Sequence, residues 1–336
     1  MKLLILTQKV DSADDNLSFF HRWIEEFAQQ CEQVIVICLY EGKHALPANV
    51  RVLSLGKEQG VSRLKYLKRF YSYIWKERKN YDAVFVHMNQ IYAILGGLLW
   101  RVLGKQIGLW YAHGKTSFSL RVATLFSHIV FTSTKEGFRL NSKKCEVVGQ
   151  GIDTSLFVQK TQYEIGEQFK IVTAGRVTKA KNIEEMIDIV SQLREKQIPA
   201  TLTVIGSGDV TYTETLGAYA RAKKIEDVVF FVGSMPYTEL ARTLHTYDVF
   251  VNLGKTGSLD KAILDAAAAR VPVVTTNTNF VYPIQDPLLE LSRGYHLSSL
   301  ERAQSTNTPL VWVSEENGLS VLVAKILHSI SIQSVI

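Results

Sequence analysis

Short apolar runs and longer helical patterns alternate along the whole 336-residue chain, which constrains the fold more than any other feature. Alternation of this kind is typical of parallel βαβ units and predicts an α/β protein. The predicted strands are 3–6, 34–39, 50–55, 83–87, 107–111, 129–132, 146–148, 170–174, 201–205, 228–232, 249–252 and 271–275. The predicted helices are 17–30, 62–79, 90–103, 182–196, 212–223, 237–247 and 259–269.

A segment rich in Gln, Thr and Glu, residues 154–168, lacks strong periodicity and separates two such series. We therefore predict two Rossmann-like domains, 1–157 and 169–316, joined by a linker at 158–168. A single twelve-stranded open sheet is the alternative, although large twisted sheets tend to split. Residues 317–336 carry helical apolar spacing and are assigned as a helix packing back on the N-terminal domain, with the other domain as the alternative.

The charge and cysteine content restrict the partners and the compartment. A net charge of +6 favours an anionic partner. Three cysteines without C-x-x-C spacing indicate neither a disulfide framework nor a zinc site, so a reducing cytoplasm is expected. The longest apolar stretch, 91–100, is 10 residues, whereas a membrane-spanning helix needs ~20.

One segment, residues 57–79, holds eight basic and two acidic side chains, with aromatic residues among the basic ones. This pattern is typical of a helix that rests on an anionic membrane surface, here the inner face of the cell membrane. The alternative is a solvated helix whose apolar stripe packs on its own sheet. A nucleic-acid partner is not expected, since no helix-turn-helix, RNA-binding strand motif or zinc finger accompanies the segment.

Two motifs in the second half predict an anion-binding site. Gly175 and Arg176 follow a predicted strand, and Lys181 comes five residues after the arginine. Two fixed cations of this kind stabilise the charge that builds up on a leaving diphosphate. Further on, a small-residue loop containing Gly257 and Ser258 opens a helix whose free N–H groups can hold an anion. The alternatives are a solvated Arg and Lys, and an ordinary N-cap.

The order of these motifs resembles the donor half of retaining glycosyltransferase family 4, which has the two-domain GT-B fold. Further matching segments are Gly206-Ser207-Gly208, 231–237, 247–251 and 272–274. In the first half, 111–114 and 148–157 resemble the family's histidine motif and interdomain motif, so the resemblance covers nearly the whole chain.

The resemblance implies two Rossmann-like domains that face each other across a cleft, an acceptor-binding domain at 1–157 and a nucleotide-sugar domain at 169–316. It also implies site residues. Catalytic roles fall to His113, Arg176 and Lys181, and donor binding to Gly175, Arg176, Lys181, Gly206, Ser207, Gly208, Met235, Pro236, Gly257, Ser258, Leu259, Asp260 and Asp265, the last of which would meet the ribose hydroxyls.

The chain departs from the family pattern in two places. The first of two family glutamates falls at Gly257 or Thr256, and Asp260 is near enough in sequence to substitute for it. The loop after the first strand lacks glycine and instead carries Asp14, Asp15 and Asn16. These three side chains either bind acceptor hydroxyls or cap the next helix. We favour acceptor binding for Asp14 and a cap for Asn16.

The chemistry that follows is sugar transfer from a UDP- or GDP-linked hexose to a saccharide or lipid-linked saccharide, in surface polysaccharide or glycolipid assembly. No Asp-x-Asp spacing occurs, so we expect neither a metal nor another cofactor. The family retains anomeric configuration, and the absence of an evident nucleophilic carboxylate favours a front-face path. A nucleotide-sugar 2-epimerase and a catalytically silent nucleotide-sugar-binding subunit are the alternatives.

Overall fold

The computed structural model describes residues 1–14, 17–161, 166–254, 259–277 and 318–332. The chain divides into two compact units. Unit 1 comprises Met1–Gly151 and Glu316–Ile336, and unit 2 comprises Ile152–Glu315. Within the described residues, unit 1 contains a seven-stranded sheet and unit 2 a five-stranded sheet, both fully parallel. The prediction of two parallel-sheet α/β domains is therefore confirmed, and a single twelve-stranded sheet is excluded.

Unit 1 has the strand order β3-β2-β1-β4-β5-β6-β7. Successive residues of β1 face opposite sides of this sheet, so that Leu3 and Ile5 enter one core while Leu4 and Leu6 enter the other. The first 151 residues supply β1 (Lys2–Val10), α1 (Ser18–Gln30), β2 (Gln33–Glu41), β3 (Val50–Ser54), α2 (Arg63–Lys76), β4 (Ala83–His87), α3 (Ile91–Val102), β5 (Gln106–Trp110), α4 (Phe118–Phe126), β6 (Ile129–Thr132) and β7 (Cys145–Val147).

Unit 2 has the strand order β10-β9-β8-β11-β12. Because β9 follows β8 on one side and β11 lies on the other, the connections diverge at the ends of β8 and β11, where ligands bind in open parallel sheets. Its elements are β8 (Phe169–Ala174), α5 (Ile183–Glu195), β9 (Ala200–Ile205), α6 (Val210–Ala222), β10 (Val229–Gly233), α7 (Tyr237–Thr243), β11 (Val249–Asn252), α8 (Lys261–Ala268) and β12 (Val273–Thr275).

The last described helix, α9 (Leu319–Ile332), packs on unit 1. It shares the core of α1, where the side chains of Leu322, Val323 and Ile326 are fully buried. A methyl group added at Gly108 would lie 2.9 Å from the Cδ1 atom of Ile330, so the helix touches the sheet closely there. None of the helices in the described ranges is long and apolar enough to cross a bilayer.

Two expectations about unit 1 need correction. The first strand runs to Val10 because Lys9 and Val10 still pair with β2, although Thr7, Gln8 and Lys9 end the apolar run. In α2, the alternative of an apolar stripe that packs on the sheet is wrong for Leu64, which is 80% exposed. Only Phe70 and Ile74 of that helix are buried, and the further apolar side chains Leu67, Tyr71 and Trp75 are exposed.

Candidate functional site

Three adjacent strands of unit 2 end in glycines with positive φ angles, Gly175 (+136°), Gly206 (+137°) and Gly233 (+74°). Each turn is tied to the next strand, since the N–H of Gly175 donates to the carbonyl of Ile205 (2.9 Å) and that of Gly206 to the carbonyl of Gly233 (2.7 Å). A Cβ at Gly206 would lie 1.9 Å from the carbonyl oxygen of Gly175. Only glycine therefore fits at position 206, where the turns after β8 and β9 touch, and the positive φ angles favour glycine at all three positions.

The turn after β8 carries the predicted cations. Arg176 is exposed and makes no ion pair with another described residue. A Cβ at Gly175 would stand 3.4 Å from the Cε atom of Lys181, so this lysine lies beside the turn. The prediction that Gly175, Arg176 and Lys181 occupy one strand-end turn agrees with their positions, while their binding of a diphosphate stays a prediction.

Asp260 contacts Lys181, one of the two cations predicted to bind the diphosphate. Its carboxylate accepts a hydrogen bond from Lys181 in an ion pair and another from the side-chain amide of Asn252 (3.0 Å). It also contacts the N–H of Ala262 (3.4 Å) and so caps α8. The strand end of β11, the helix start of α8 and the turn after β8 are thus joined by one carboxylate.

Asp265 lies at the centre of a second cluster, in which it is 3% exposed. The ammonium of Lys261 donates to its two oxygens (2.8 and 3.1 Å), and the Tyr237 hydroxyl donates at 2.8 Å. Lys261 also donates to the Tyr237 oxygen (2.5 Å). Burial raises the pKa of Asp265, which the adjacent Lys261 opposes, and burial lowers the pKa of Lys261. Asp265 is therefore buried in this cluster and does not lie on a solvated face of α8.

The remaining predicted donor residues lie around these clusters. The carbonyl of Ser207 accepts a hydrogen bond from the N–H of Val177 (2.9 Å), and Gly208 pairs with Val177 in an isolated bridge. Met235 accepts a long contact from the Thr243 hydroxyl (3.6 Å), Pro236 precedes α7, and Leu259 is buried. Gly257 and Ser258, like Thr256, lie outside the described residues.

In unit 1, His113 is exposed in the loop after β5, and its Nδ1 atom accepts the N–H of Lys115 (3.2 Å). The Oδ1 atom of Asp14 accepts the N–H of Leu17 (2.7 Å), and its Oδ2 accepts the ammonium of Lys9 (2.6 Å), which raises the pKa of that lysine. Asp14 therefore ties the loop to the start of α1, and its contact with an acceptor stays a prediction. Asp15 and Asn16 lie outside the described residues.

Sequence reasoning missed three members of these clusters, Lys261, Tyr237 and Asn252. The i, i+4 spacing of Lys261 and Asp265 is a signal that could have indicated the ion pair. Tyr237 and Asn252 carry no such local signal, because their partners lie on other elements. Among the described residues, no group of three or more His, Cys, Asp or Glu side chains is arranged to hold a metal ion.

The two parallel-sheet units and their likeness to solved structures identify the fold as GT-B. Anabaena HepE in complex with UDP and glucose matches with a TM-score of 0.75 at 15% sequence identity, covering 98% of this chain and 99% of the other. At that identity the likeness establishes the fold alone. The predicted GT-B fold is thereby confirmed.

The sequence comparisons concern the second half of the chain. The family described as glycosyl transferases group 1 matches residues 158–285. A glycogen synthase of Mycobacterium tuberculosis is 29% identical over 131 residues, which is 39% of this chain and 31% of the relative. The amylovoran biosynthesis glycosyltransferase AmsK of Erwinia amylovora is 26% identical over 141 residues, or 40% and 34%. The chain thus spans about a third of the length of each relative.

Proposed function

We propose that the chain transfers a hexose from a nucleoside diphosphate sugar to a saccharide or lipid-linked saccharide, with retention of configuration and without a metal. The observation that carries the proposal is the meeting of three glycine turns, Arg176, Lys181 and the start of α8 at the strand ends of unit 2. These features lie at the point where parallel sheets bind ligands, within the segment that matches glycosyl transferases group 1.

The bare backbone of the glycine turns lets a nucleotide approach the sheet edge closely. Arg176 and Lys181 bind the diphosphate and stabilise the charge that develops as the bond between the anomeric carbon and the phosphate oxygen breaks. The acceptor oxygen bonds to the same face of the anomeric carbon, and its proton passes to the departing phosphate oxygen. His113 donates a hydrogen bond to the reacting sugar, and Asp265 meets the ribose hydroxyls once it exchanges a hydrogen bond from Lys261 or Tyr237.

UDP is the donor nucleotide we favour over GDP, because the HepE structure that matches contains UDP and glucose. A role in surface polysaccharide or glycolipid assembly is supported by the name of AmsK as an amylovoran biosynthesis glycosyltransferase. The silent binding subunit remains a second candidate, because Gly257 or Thr256 replaces the family glutamate. The epimerase is separated from both by its product, an epimer formed from the nucleotide sugar alone.

The first test is thermal unfolding of the wild type with UDP, GDP, ADP or NAD, beside Arg176→Ala and a control, Arg194→Ala, on an exposed position of α5. A ligand at a hundredfold excess over its Kd adds about 2.7 kcal/mol of stability. We expect UDP to stabilise the wild type and the control but not Arg176→Ala. If no nucleotide stabilises the wild type, the proposed donor site is wrong.

The second test is turnover of UDP-hexoses with lipid-linked saccharides, with and without a chelator. The proposal is supported if UDP is released and NMR shows that the product keeps the anomeric configuration of the donor sugar. Both results should be the same with and without the chelator. If a UDP-hexose binds but no UDP is released with any of the acceptors, the silent binding subunit is favoured.

A further inference from the structure

Three helices of unit 1, α2, α3 and α4, form a continuous layer over one face of the sheet, named here the outer helix layer. The rings of Phe70 and Tyr92 stack with centroids 5.7 Å apart, and the Tyr71 hydroxyl donates to the carbonyl of Leu95 (2.9 Å). Arg101 on α3 donates to the carbonyl of Phe126 on α4 (2.8 Å). The three helices therefore present one joined outer surface.

The outward side of this layer carries many exposed apolar side chains. Of the fifteen large apolar side chains exposed among the described residues, nine lie on these three helices, which concentrates them on one surface instead of scattering them singly. Spacings of three, four or seven residues align them along each helix. They are Leu64, Leu67, Tyr71 and Trp75 on α2, Ile91, Leu98 and Val102 on α3, and Phe118 and Leu125 on α4.

The same segment is strongly basic. Residues 63–126 contain eleven Lys and Arg side chains but only two acidic ones, Glu77 and Asp82. Both carboxylates have partners, because Glu77 pairs with Arg51 and Asp82 accepts the backbone N–H of Lys2 (2.9 Å). The layer therefore carries uncompensated positive charge among its apolar side chains. The exposed cations include Arg63, Lys65, Lys68, Lys76, Lys79, Arg101 and Arg121.

We infer that the outer helix layer docks on an anionic phospholipid surface. Apolar and aromatic side chains interleaved with Lys and Arg enter the boundary between headgroups and acyl chains while the cations meet lipid phosphates. Trp75, over which the guanidinium of Arg78 stacks at 4.4 Å, and Tyr71 are of the type that lies at that boundary. A second copy of the chain fits less well, because two such surfaces would bring like charges together.

The inference does not depend on the proposed function, since binding to lipid requires neither donor nor turnover. It is tested by flotation of the full chain with vesicles of phosphatidylcholine alone or with 30% phosphatidylglycerol, in low and high salt. We expect binding to the anionic vesicles at least tenfold tighter than to the neutral ones, with the difference shrinking in high salt.

Two double variants test the apolar and the charged side chains of the outer helix layer separately, each with a matched control on unit 2. Leu64→Ser/Phe118→Ser removes the two most exposed apolar side chains, and Val210→Ser/Phe230→Ser is its control. Both pairs leave buried positions unchanged, so unfolding temperatures should match those of the wild type. We expect at least fivefold weaker binding for the first pair and less than a twofold change for the control.

The charge variant, Lys65→Glu/Lys68→Glu, should weaken anionic binding at least tenfold in low salt. Its control, Lys196→Glu/Lys224→Glu, makes the same change in net charge on exposed positions of unit 2 and should have less than half that effect. Failure of the wild type to float with anionic vesicles overturns the inference. So does equal loss in variants and controls, or a dimer in light scattering that Leu64→Ser/Phe118→Ser dissociates, because a second copy would then cover the layer.

Discussion

His87, the last residue of β4, should make unit 1 sensitive to acid. The side chain is 2% exposed, its ring stacks on Phe20 with centroids 3.8 Å apart, and Trp23 lies beside it. The Thr7 hydroxyl lies 3.5 Å from its Nδ1 atom. Burial lowers the pKa of His87 to about 3.

The unfolded chain binds this proton near pH 6.5, well above the folded pKa, so stability is lost as the pH falls between the two values. The full slope is 1.36 kcal/mol per pH unit, but the unfolded histidine is already half protonated at pH 6.5, so lowering the pH from 6.5 to 4.5 removes about 2.3 kcal/mol through this group alone. The loss between pH 7 and pH 4.5 is slightly larger, about 2.5 kcal/mol, because the unfolded histidine takes up part of its proton between pH 7 and 6.5.

The assay is urea unfolding of the wild type and of His87→Leu at pH 7 and at pH 4.5, followed by tryptophan fluorescence. Four of the five tryptophans, Trp23, Trp75, Trp100 and Trp110, belong to unit 1, so the signal reports on the unit that holds the histidine. His21 and His128, whose pKa values are also lowered by burial, remain in both proteins, and their contributions cancel in the comparison.

We expect the wild type to lose about 2.5 kcal/mol more than His87→Leu on acidification. The lower absolute stability of the variant does not enter, since only the change with pH is compared. A difference under about 1 kcal/mol would refute the argument, because it would mean that His87 is protonated in the folded protein at little cost.

Three substitutions in unit 2 test the clusters at the strand ends. Gly206→Ala should cost about 3 kcal/mol in urea unfolding, because its φ is +137° and its new Cβ would clash with a neighbouring carbonyl; an unchanged midpoint would contradict this. Lys261→Met should cost about 3–5 kcal/mol by leaving the Asp265 carboxylate buried without its cation, and most of that loss should return in Lys261→Met/Asp265→Leu. Asp260→Asn should tighten UDP binding about tenfold in calorimetry by freeing Lys181, while weaker binding would show that Asp260 instead holds the lysine in its productive position.

Much of the fold was predictable because buried parallel strands are apolar along their whole length. All twelve described strands overlap a predicted strand, and the β4 prediction, 83–87, has the observed bounds. Helix α4 was missed because it is only nine residues long and because its exposed side also carries apolar side chains, Phe118 and Leu125. Its start depends on the Ser117 hydroxyl, which accepts the N–H of Leu120 (3.1 Å) and is a weak local signal.

Only the position of the candidate site, at the strand ends of unit 2, was predictable from the sequence. Knowing that β8 and β11 are neighbours brings the turn at Gly175 close to the loop after Asn252. The pairing of Lys181 with Asp260 could not be predicted, because the two are 79 residues apart and each alone is typical of a solvated side chain. Which carboxylate meets which cation is decided by side-chain packing between elements, and spacing along the chain does not encode it.

The return of α9 to unit 1 affects the order in which the protein can fold during synthesis. The apolar side of α1 is made early, but the helix that covers it follows only after the whole of unit 2. About 300 residues separate the ends of the two helices, so at ribosomal speeds of 5–20 residues per second that interval is roughly 15 to 60 seconds. Until Leu322, Val323 and Ile326 arrive, the part of the core that they fill beside α1 and Gly108 stays open to water, a surface suited to chaperone capture.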